Sequence, residues 1–302
     1  LREIPLSAIK SKVKELCLEA NIKIRPDVLD SVKKALLTES SEAGRNVLSQ
    51  VIQNAEIAET EQMPICQDTG YVGVFIELGC GVELVDDLKD HNNNGNACKA
   101  TGKTTDKASI LYDAINEAVA DAYREGSFRK SMVSPPVINR INTGDNTPAF
   151  VSVEIVNGDR LKITVMPKGG GTENASQLKM LPVSGDVQAV KQFVIEAAEN
   201  AAKSCPPVMI GVGIGGSFDK VGSLAKKALM RSLDNENPDP LFARLEHELL
   251  DSINDLGIGP AGLGGNTTAI GVKIETAPTH IACLPVAVAF NCIAARQAEA
   301  VL

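Results

Sequence analysis

Pro64-Ile65-Cys66-Gln67-Asp68-Thr69-Gly70-Tyr71-Val72-Gly73-Val74-Phe75-Ile76-Glu77-Leu78 sets the frame for the whole chain. Its first half places a thiol, an amide, a carboxylate and a hydroxyl on successive residues between a proline and a glycine. No helix or strand needs that order, and it reads as a forced, exposed turn. Its second half is rich in β-branched residues and reads as a buried strand. A thiol just before such a strand is held at a sheet's edge by a rigid element. Two distant cysteines have comparable settings. Cys205 precedes Pro206-Pro207, and Cys292 follows Asn291 at the end of the apolar run 281–290. Three cysteines on three turns point to one metal centre with three protein ligands.

Composition narrows the class. A chain of 302 residues, 44% hydrophobic, can bury a large core, and abundant Gly and Ala with 3% aromatics fit an α/β enzyme with tight turns. The reading is a single domain over residues 1–302, with short strands in mixed sheets surrounded by helices and a helical part at 1–60. Thirty basic against 38 acidic residues leave a net charge of −8, which argues against nucleic acid as the main partner. No apolar run is long enough to span a bilayer, and Leu1-Arg2-Glu3 does not open like a signal peptide. No membrane association and a cytoplasmic location are therefore expected. Seven cysteines, odd in number and far apart, do not form a disulfide framework. Cys17 and Cys283 read as small apolar residues.

Outward from the central stretch, three amphipathic helices are expected before residue 61, the first capped by Ser7 and the second opened by Pro26. Residues 91–106 are polar and without periodicity and read as an insertion, whose His91 and Cys98 make no metal site. A strong helix follows over 108–123. Asn142 to Pro148 is a polar turn that binds an anion or closes a loop. Val151–Ile155 and Leu161–Val165 alternate, and Asn157-Gly158 between them predicts a hairpin. The second strand runs into Lys168-Gly169-Gly170-Gly171-Thr172-Glu173-Asn174, whose glycines let backbone approach a ligand while Lys168 adds charge. Gly211-Val212-Gly213-Ile214-Gly215-Gly216 formally fits a dinucleotide fingerprint. The acidic residue that should end a second strand some 20 residues on is missing, because that distance still falls within a helix.

Zinc thiolate sites usually pair their cysteines on one knuckle, and no such pair occurs. Isolated cysteines on separate loops better suit an iron–sulfur cluster. Three thiolates on a cubane leave one iron open as a Lewis acid for a substrate carboxylate or hydroxyl. Dehydration or hydration next to a carboxylate follows, with Asp68 and His280 as available acid–base groups.

These segments together resemble the α subunit, or N-terminal half, of class I iron–sulfur fumarases, a group that includes L-tartrate dehydratase. The resemblance rests on Ile65-Cys66-Gln67-Asp68-Thr69-Gly70, Arg129-Lys130-Ser131, the 142–148 turn, the 168–174 loop, Cys205-Pro206-Pro207 with the 211–216 glycines, Ala277-Pro278-Thr279-His280 and Asn291-Cys292. They occur in family order over most of the chain beyond the first helices. The resemblance implies a four-iron four-sulfur cluster on Cys66, Cys205 and Cys292, with one iron free for substrate. It implies that Gln67 and Asp68 contact a small dicarboxylate, with Asp68 a proton donor. Arg129 would pair with a carboxylate, Gly169, Thr172, Glu173 and Asn174 would line the pocket, and His280 would contact substrate near the open iron. The 211–216 glycines become structural. The chain ends soon after Cys292, where single-chain members continue, so a β subunit is expected to complete the site, in an α2β2 heterotetramer. Fumarate hydration is the first expectation and tartrate dehydration the alternative. A non-catalytic iron–sulfur protein, which would need a fourth cysteine ligand, is the reading from another class.

Overall fold

A computed structural model describes residues 1–88, 107–202 and 205–302. The elements run β1 (Arg2–Pro5), α1 (Leu6–Ile22), α2 (Pro26–Thr38), α3 (Glu42–Thr60), β2 (Tyr71–Gly79), β3 (Val82–Val85) and α4 (Lys107–Glu125). Then come β4 (Val133–Ser134), β5 (Ile141–Asn142), β6 (Phe150–Val156), β7 (Leu161–Lys168), α5 (Gly170–Ala175), β8 (Gln177–Leu181) and α6 (Val187–Ala201). The last are β9 (Val208–Gly215), α7 (Phe218–Met230), α8 (Pro240–Asn254), β10 (Ala269–Ala277), β11 (Leu284–Asn291) and β12 (Ala298–Val301). The class is α/β with mixed sheets, as the sequence predicts. The expected insertion at 91–106, with His91 and Cys98, lies outside the described residues.

The chain forms two compact units. Unit 1 comprises Leu1–Ile22, Cys66–Pro167 and Gln297–Leu302, and unit 2 comprises Lys23–Ile65 and Lys168–Arg296. The helical N-terminal region is thus divided, with α1 in the first unit and α2 and α3 in the second.

Unit 1 holds a four-stranded sheet in the order β12-β7-β2-β6, on which α1 and α4 pack against each other and the strands. The expected apolar face of α1, Ile9, Val13, Leu16 and Ala20, is buried, and Cys17 with it. Burial pushes the Cys17 thiol well up, consistent with a packing role. Each fully buried Ile or Leu of this layer contributes about 1.5–3 kcal/mol of burial energy. Ser7 is not the cap of α1. The helix begins at Leu6, and the Asp87 carboxylate accepts from the Ser7 backbone N–H at 2.9 Å instead.

The hairpin predicted at Asn157-Gly158 is also corrected. The chain turns there, with Gly158 at φ +107°, but β2 lies between β6 and β7. β2 is apolar along nearly its whole length, and a strand of that kind belongs in the middle of a sheet. The turn bridges over its end. Gly79 donates to Arg160 O at 2.9 Å and Gly81 donates to Gly158 O at 2.8 Å. A Cβ on Gly79 would meet Gly158 O at 2.6 Å, so only glycine lets the loop cross.

Unit 2 is built on a sheet in the order β10-β9-β11-β8, with a core drawn from α6, α8 and the strands, including Phe193, Val194, Ile210, Val212, Leu249 and Phe290. The 211–216 glycines are mostly strand, not a loop. β9 runs to Gly215, and α7 lies directly against it, close enough that a Cβ on Gly211 would stand 2.2 Å from Ala225 O. The missing side chains serve helix–strand packing.

Candidate active site

In unit 1 the Cys66 turn is tied down from behind. Asp68 Oδ1 accepts from Gly70 N at 3.0 Å, and Gly70 takes φ +71°. Thr69 is buried and donates its hydroxyl to Arg129 O at 2.7 Å, which brings the Arg129-Lys130-Ser131 turn alongside. Tyr123, fully buried on α4, donates its hydroxyl to Thr69 O at 2.7 Å. Asn146, also buried, donates to Gly70 O at 3.1 Å and accepts from Ser131 N at 2.7 Å. With these turns pinned, Gln67 and Arg129 face solvent and meet at 3.4 Å, while Asp68 is half-buried beside them. The structure therefore gathers Gln67, Asp68 and Arg129. The 142–148 turn mainly closes itself: Asn142 Oδ1 accepts from Gly144 N at 2.8 Å and Asp145 Oδ1 from Thr147 N at 2.9 Å.

In unit 2 the strand register decides which residues meet. β11 runs antiparallel to β9, with Asn291 opposite Met209. Cys292 leaves the end of β11 and Cys205 lies just before β9, so both emerge at the same end of neighbouring strands. α5 packs on β11 and is followed by β8, whose Gln177 lies opposite Val288, which sets the glycine loop toward that end too. Lys168, fully buried, donates to Thr172 Oγ1 at 2.8 Å and lies 3.5 Å from Glu173 Oε2. Lys226 of α7 holds the other oxygen of Glu173 at 3.0 Å. Burial pushes the Lys168 ammonium down to about 8, while Glu173 and then Cys292 pull it back up by charge. Lys168 is thus a buried cation near Cys292. Gly169 is half-buried and Asn174 exposed on the same short turn.

His280 lies elsewhere. It sits in an exposed turn before β11, and its Nδ1 accepts from Ala282 N at 3.1 Å. Thr279 beside it donates to Gly216 O at 2.9 Å, just beyond the far end of β9. The eight residues of β11 separate His280 from Cys292. At ~3.3 Å per residue that is roughly 25 Å. A pocket of about 460 Å³ in unit 2 lies along α3, lined by Val47, Val51 and Ile57 together with Ile65, Ile293 and Ala294. Ile65 and Ile293 are the chain neighbours of Cys66 and Cys292.

Among the described residues no three His, Cys, Asp or Glu side chains stand close enough to hold one metal ion. The corners of a cubane cluster lie further apart than the donors around a single ion. The donor chemistry fits such a cluster: Cys66, Cys205 and Cys292 form no disulfide and are accessible or half-buried, on turns beside strands. A buried ammonium near Cys292 suits an anionic thiolate set.

The family model for fumarate hydratase (Fumerase) matches residues 10–103 and 97–301. The chain belongs to the fumarate hydratase (Fumerase) family. A Methanocaldococcus jannaschii protein, provisionally named L(+)-tartrate dehydratase subunit alpha, is 39% identical over 295 residues, covering 96% of each chain. The L(+)-tartrate dehydratase subunit alpha of Escherichia coli K12 is 33% identical over 276 residues, 90% of this chain and 83% of its own. No helix among the described residues is long and apolar enough to cross a membrane.

Sequence reasoning missed Thr69, Tyr123 and Asn146, which position the unit 1 turns. Their one signal was a tyrosine within an otherwise aliphatic helix face and two polar residues inside motif turns.

Proposed function

We propose that the chain is the α subunit of an iron–sulfur hydro-lyase that removes water from a 2-hydroxydicarboxylate, with L(+)-tartrate as the substrate. The observation that carries the chemistry is the pair of cysteines, Cys205 and Cys292, at one end of neighbouring strands with the buried Lys168 ammonium near Cys292. Cys66, Cys205 and Cys292 would hold a four-iron four-sulfur cluster, which supplies a Lewis-acid iron for the substrate's carboxylate and hydroxyl. Arg129 and Gln67 bind and orient a carboxylate, and Asp68 moves a proton at its carboxylate oxygen. Gly169, Thr172, Glu173 and Asn174 line the pocket at the cysteine end. His280 stands a strand's length from Cys292 within the chain, so any contact it makes with substrate comes from the other end of β11. A β subunit completes the enzyme, in keeping with relatives named as subunits alpha.

The choice of tartrate rests on the names of those relatives and reverses the order of preference read from the sequence. Fumarate remains the second reading because the matching family carries its name. Product chemistry separates them. Loss of water from tartrate leaves an enol that tautomerises to a 2-oxo acid, whereas loss of water from malate leaves an alkene. The test is an anaerobic assay of the chain co-purified with its β subunit, scoring both products. Tartrate should be preferred in kcat/KM by about tenfold or more, a ~1.4 kcal/mol difference in transition-state binding. A preference for malate would restore the fumarate reading, and no turnover of either would remove the hydro-lyase.

A further inference from the structure

Pro206 and Pro207 have no N–H, so the Cys205 segment offers few backbone groups by which it can be held. Two of them go to the 259–268 loop: Pro206 O accepts from Ala261 N at 3.0 Å, and Val208 N donates to Thr268 O at 3.0 Å. The residue that bonds Pro206 is itself strained. Ala261 takes φ +54°, a left-handed conformation that alanine adopts at a cost. Such a conformation persists only where the surroundings enforce it. Glu39 holds the far side of the loop. Its buried carboxylate accepts from Asn266 N and Thr267 N, both at 2.9 Å, and the Ser40 hydroxyl donates to Asn266 Oδ1 at 2.6 Å.

Glu39 also accepts from the backbone N–H of Ser41, the N-cap of α3, at 2.9 Å, so this clamp is continuous with the helix. Further along α3, Asn54 Nδ2 donates at 2.9 Å to the carbonyl of Ile65, the residue before Cys66. Val47 and Val51 share that helix face and line a pocket with Ile293 and Ala294, which follow Cys292. α3 and the turn before it thus reach the chain beside each of the three cysteines, although no candidate site residue lies on them. We propose that this helix and turn set the positions of the cluster ligands, with Glu39 a positioning residue for Cys205 and Asn54 one for Cys66. The inference rests on the reading that these cysteines hold one cluster. Residues behind the ligands govern metal retention, because a ligand whose backbone is fixed returns to the metal rather than drifting away. The helix itself gains nothing from asparagine at position 54, where alanine is the better helix former.

The test is cysteine protection in the α–β complex, reconstituted anaerobically with iron and sulfide. Iodoacetamide is added, and the initial alkylation rates of Cys66, Cys205 and Cys292 are followed separately by peptide mass mapping. All three should be protected in wild type. Glu39→Gln should speed alkylation of Cys205 by about 10–100-fold, ahead of the other two. Asn54→Ala should speed alkylation of Cys66 by up to about tenfold, with Tm close to wild type because alanine favours the helix. A general loss of stability would release the three cysteines together, so the order of release separates positioning from folding. Glu39→Gln that releases all three alike, or Asn54→Ala that leaves Cys66 as protected as in wild type, would overturn the proposal while the cluster reading stands. A wild-type complex that takes up no iron would remove the cluster reading and this proposal with it.

Discussion

Glu39 should be one of the most sensitive single positions in unit 2. Its side chain is 3% exposed, and its carboxylate is wrapped by backbone. Oε1 accepts from Ser41 N at 2.9 Å and Asn266 N at 2.9 Å; Oε2 accepts from Thr267 N at 2.9 Å. The 262–268 turn closes so tightly on it that a Cβ on Gly265 would stand 2.3 Å from Oε1. Glu39→Gln keeps the shape and removes the charge. In its better orientation the amide NH2 replaces Oε2 and faces the buried N–H of Thr267. A buried donor left unsatisfied costs about 1–3 kcal/mol. The remaining bonds lose charge assistance, which costs ~1 kcal/mol more. The sum is roughly 3 kcal/mol, or about a hundredfold faster hydrogen exchange at the Asn266 and Thr267 amides at neutral pH if local opening governs it. The effect should depend on pH. Burial alone would raise the Glu39 carboxyl, but the backbone donors of Ser41, Asn266 and Thr267 prevail and hold it below the ordinary value. A group with a depressed folded pKa contributes stability that is present above its unfolded pKa and lost as pH falls through the folded one. The gap between wild type and variant should therefore shrink below about pH 4. Unchanged exchange at neutral pH, or a gap that persists undiminished into acid, would refute this reasoning.

Gly211→Ala should lower Tm through an overpacking cost of ~1–3 kcal/mol, because its Cβ would press on Ala225 O. Gly222→Ala, in the same helix and strand pair but with open space at its Cβ, should stabilise by about 0.5–1 kcal/mol through helix propensity. Asn146→Ala removes the bonds to Gly70 O and Ser131 N and leaves alanine at φ +67°. A loss of ~2–4 kcal/mol in denaturant titration is expected, with kcat/KM of the α–β complex down about tenfold or more as the Gln67–Asp68 turn loosens; an unaltered kcat/KM would detach that turn from the reaction.

Much of this fold was legible because its periodicities are local. The apolar faces of α1 and α4 and the buried strands β2, β9 and β11 were all readable from spacing alone. What escaped depends on pairing across sequence distance. Asn157-Gly158 signals a turn correctly but cannot show that β2 inserts between the strands it joins. Gly211 and Gly213 look like a loop until α7 is seen lying on them. Helix α2 shows the same limit on a small scale: Leu37 fits its apolar pattern yet is 86% exposed. For the site, the motif residues stood out, but the buried Thr69, Tyr123 and Asn146 that hold them did not. The strand length between His280 and Cys292 became visible only once β11 had ends.

The central claim is that Cys66, Cys205 and Cys292 together hold one cluster. It is tested most directly by anaerobic reconstitution of the α–β complex with iron and sulfide, followed by iron and sulfide analysis of wild type and of Cys66→Ser, Cys205→Ser, Cys292→Ser and Cys283→Ser. The account predicts about four irons and four sulfides per α chain for wild type and Cys283→Ser, and a marked loss for each of the other three. Full iron content in any one of those three, or no iron uptake by wild type, would contradict it.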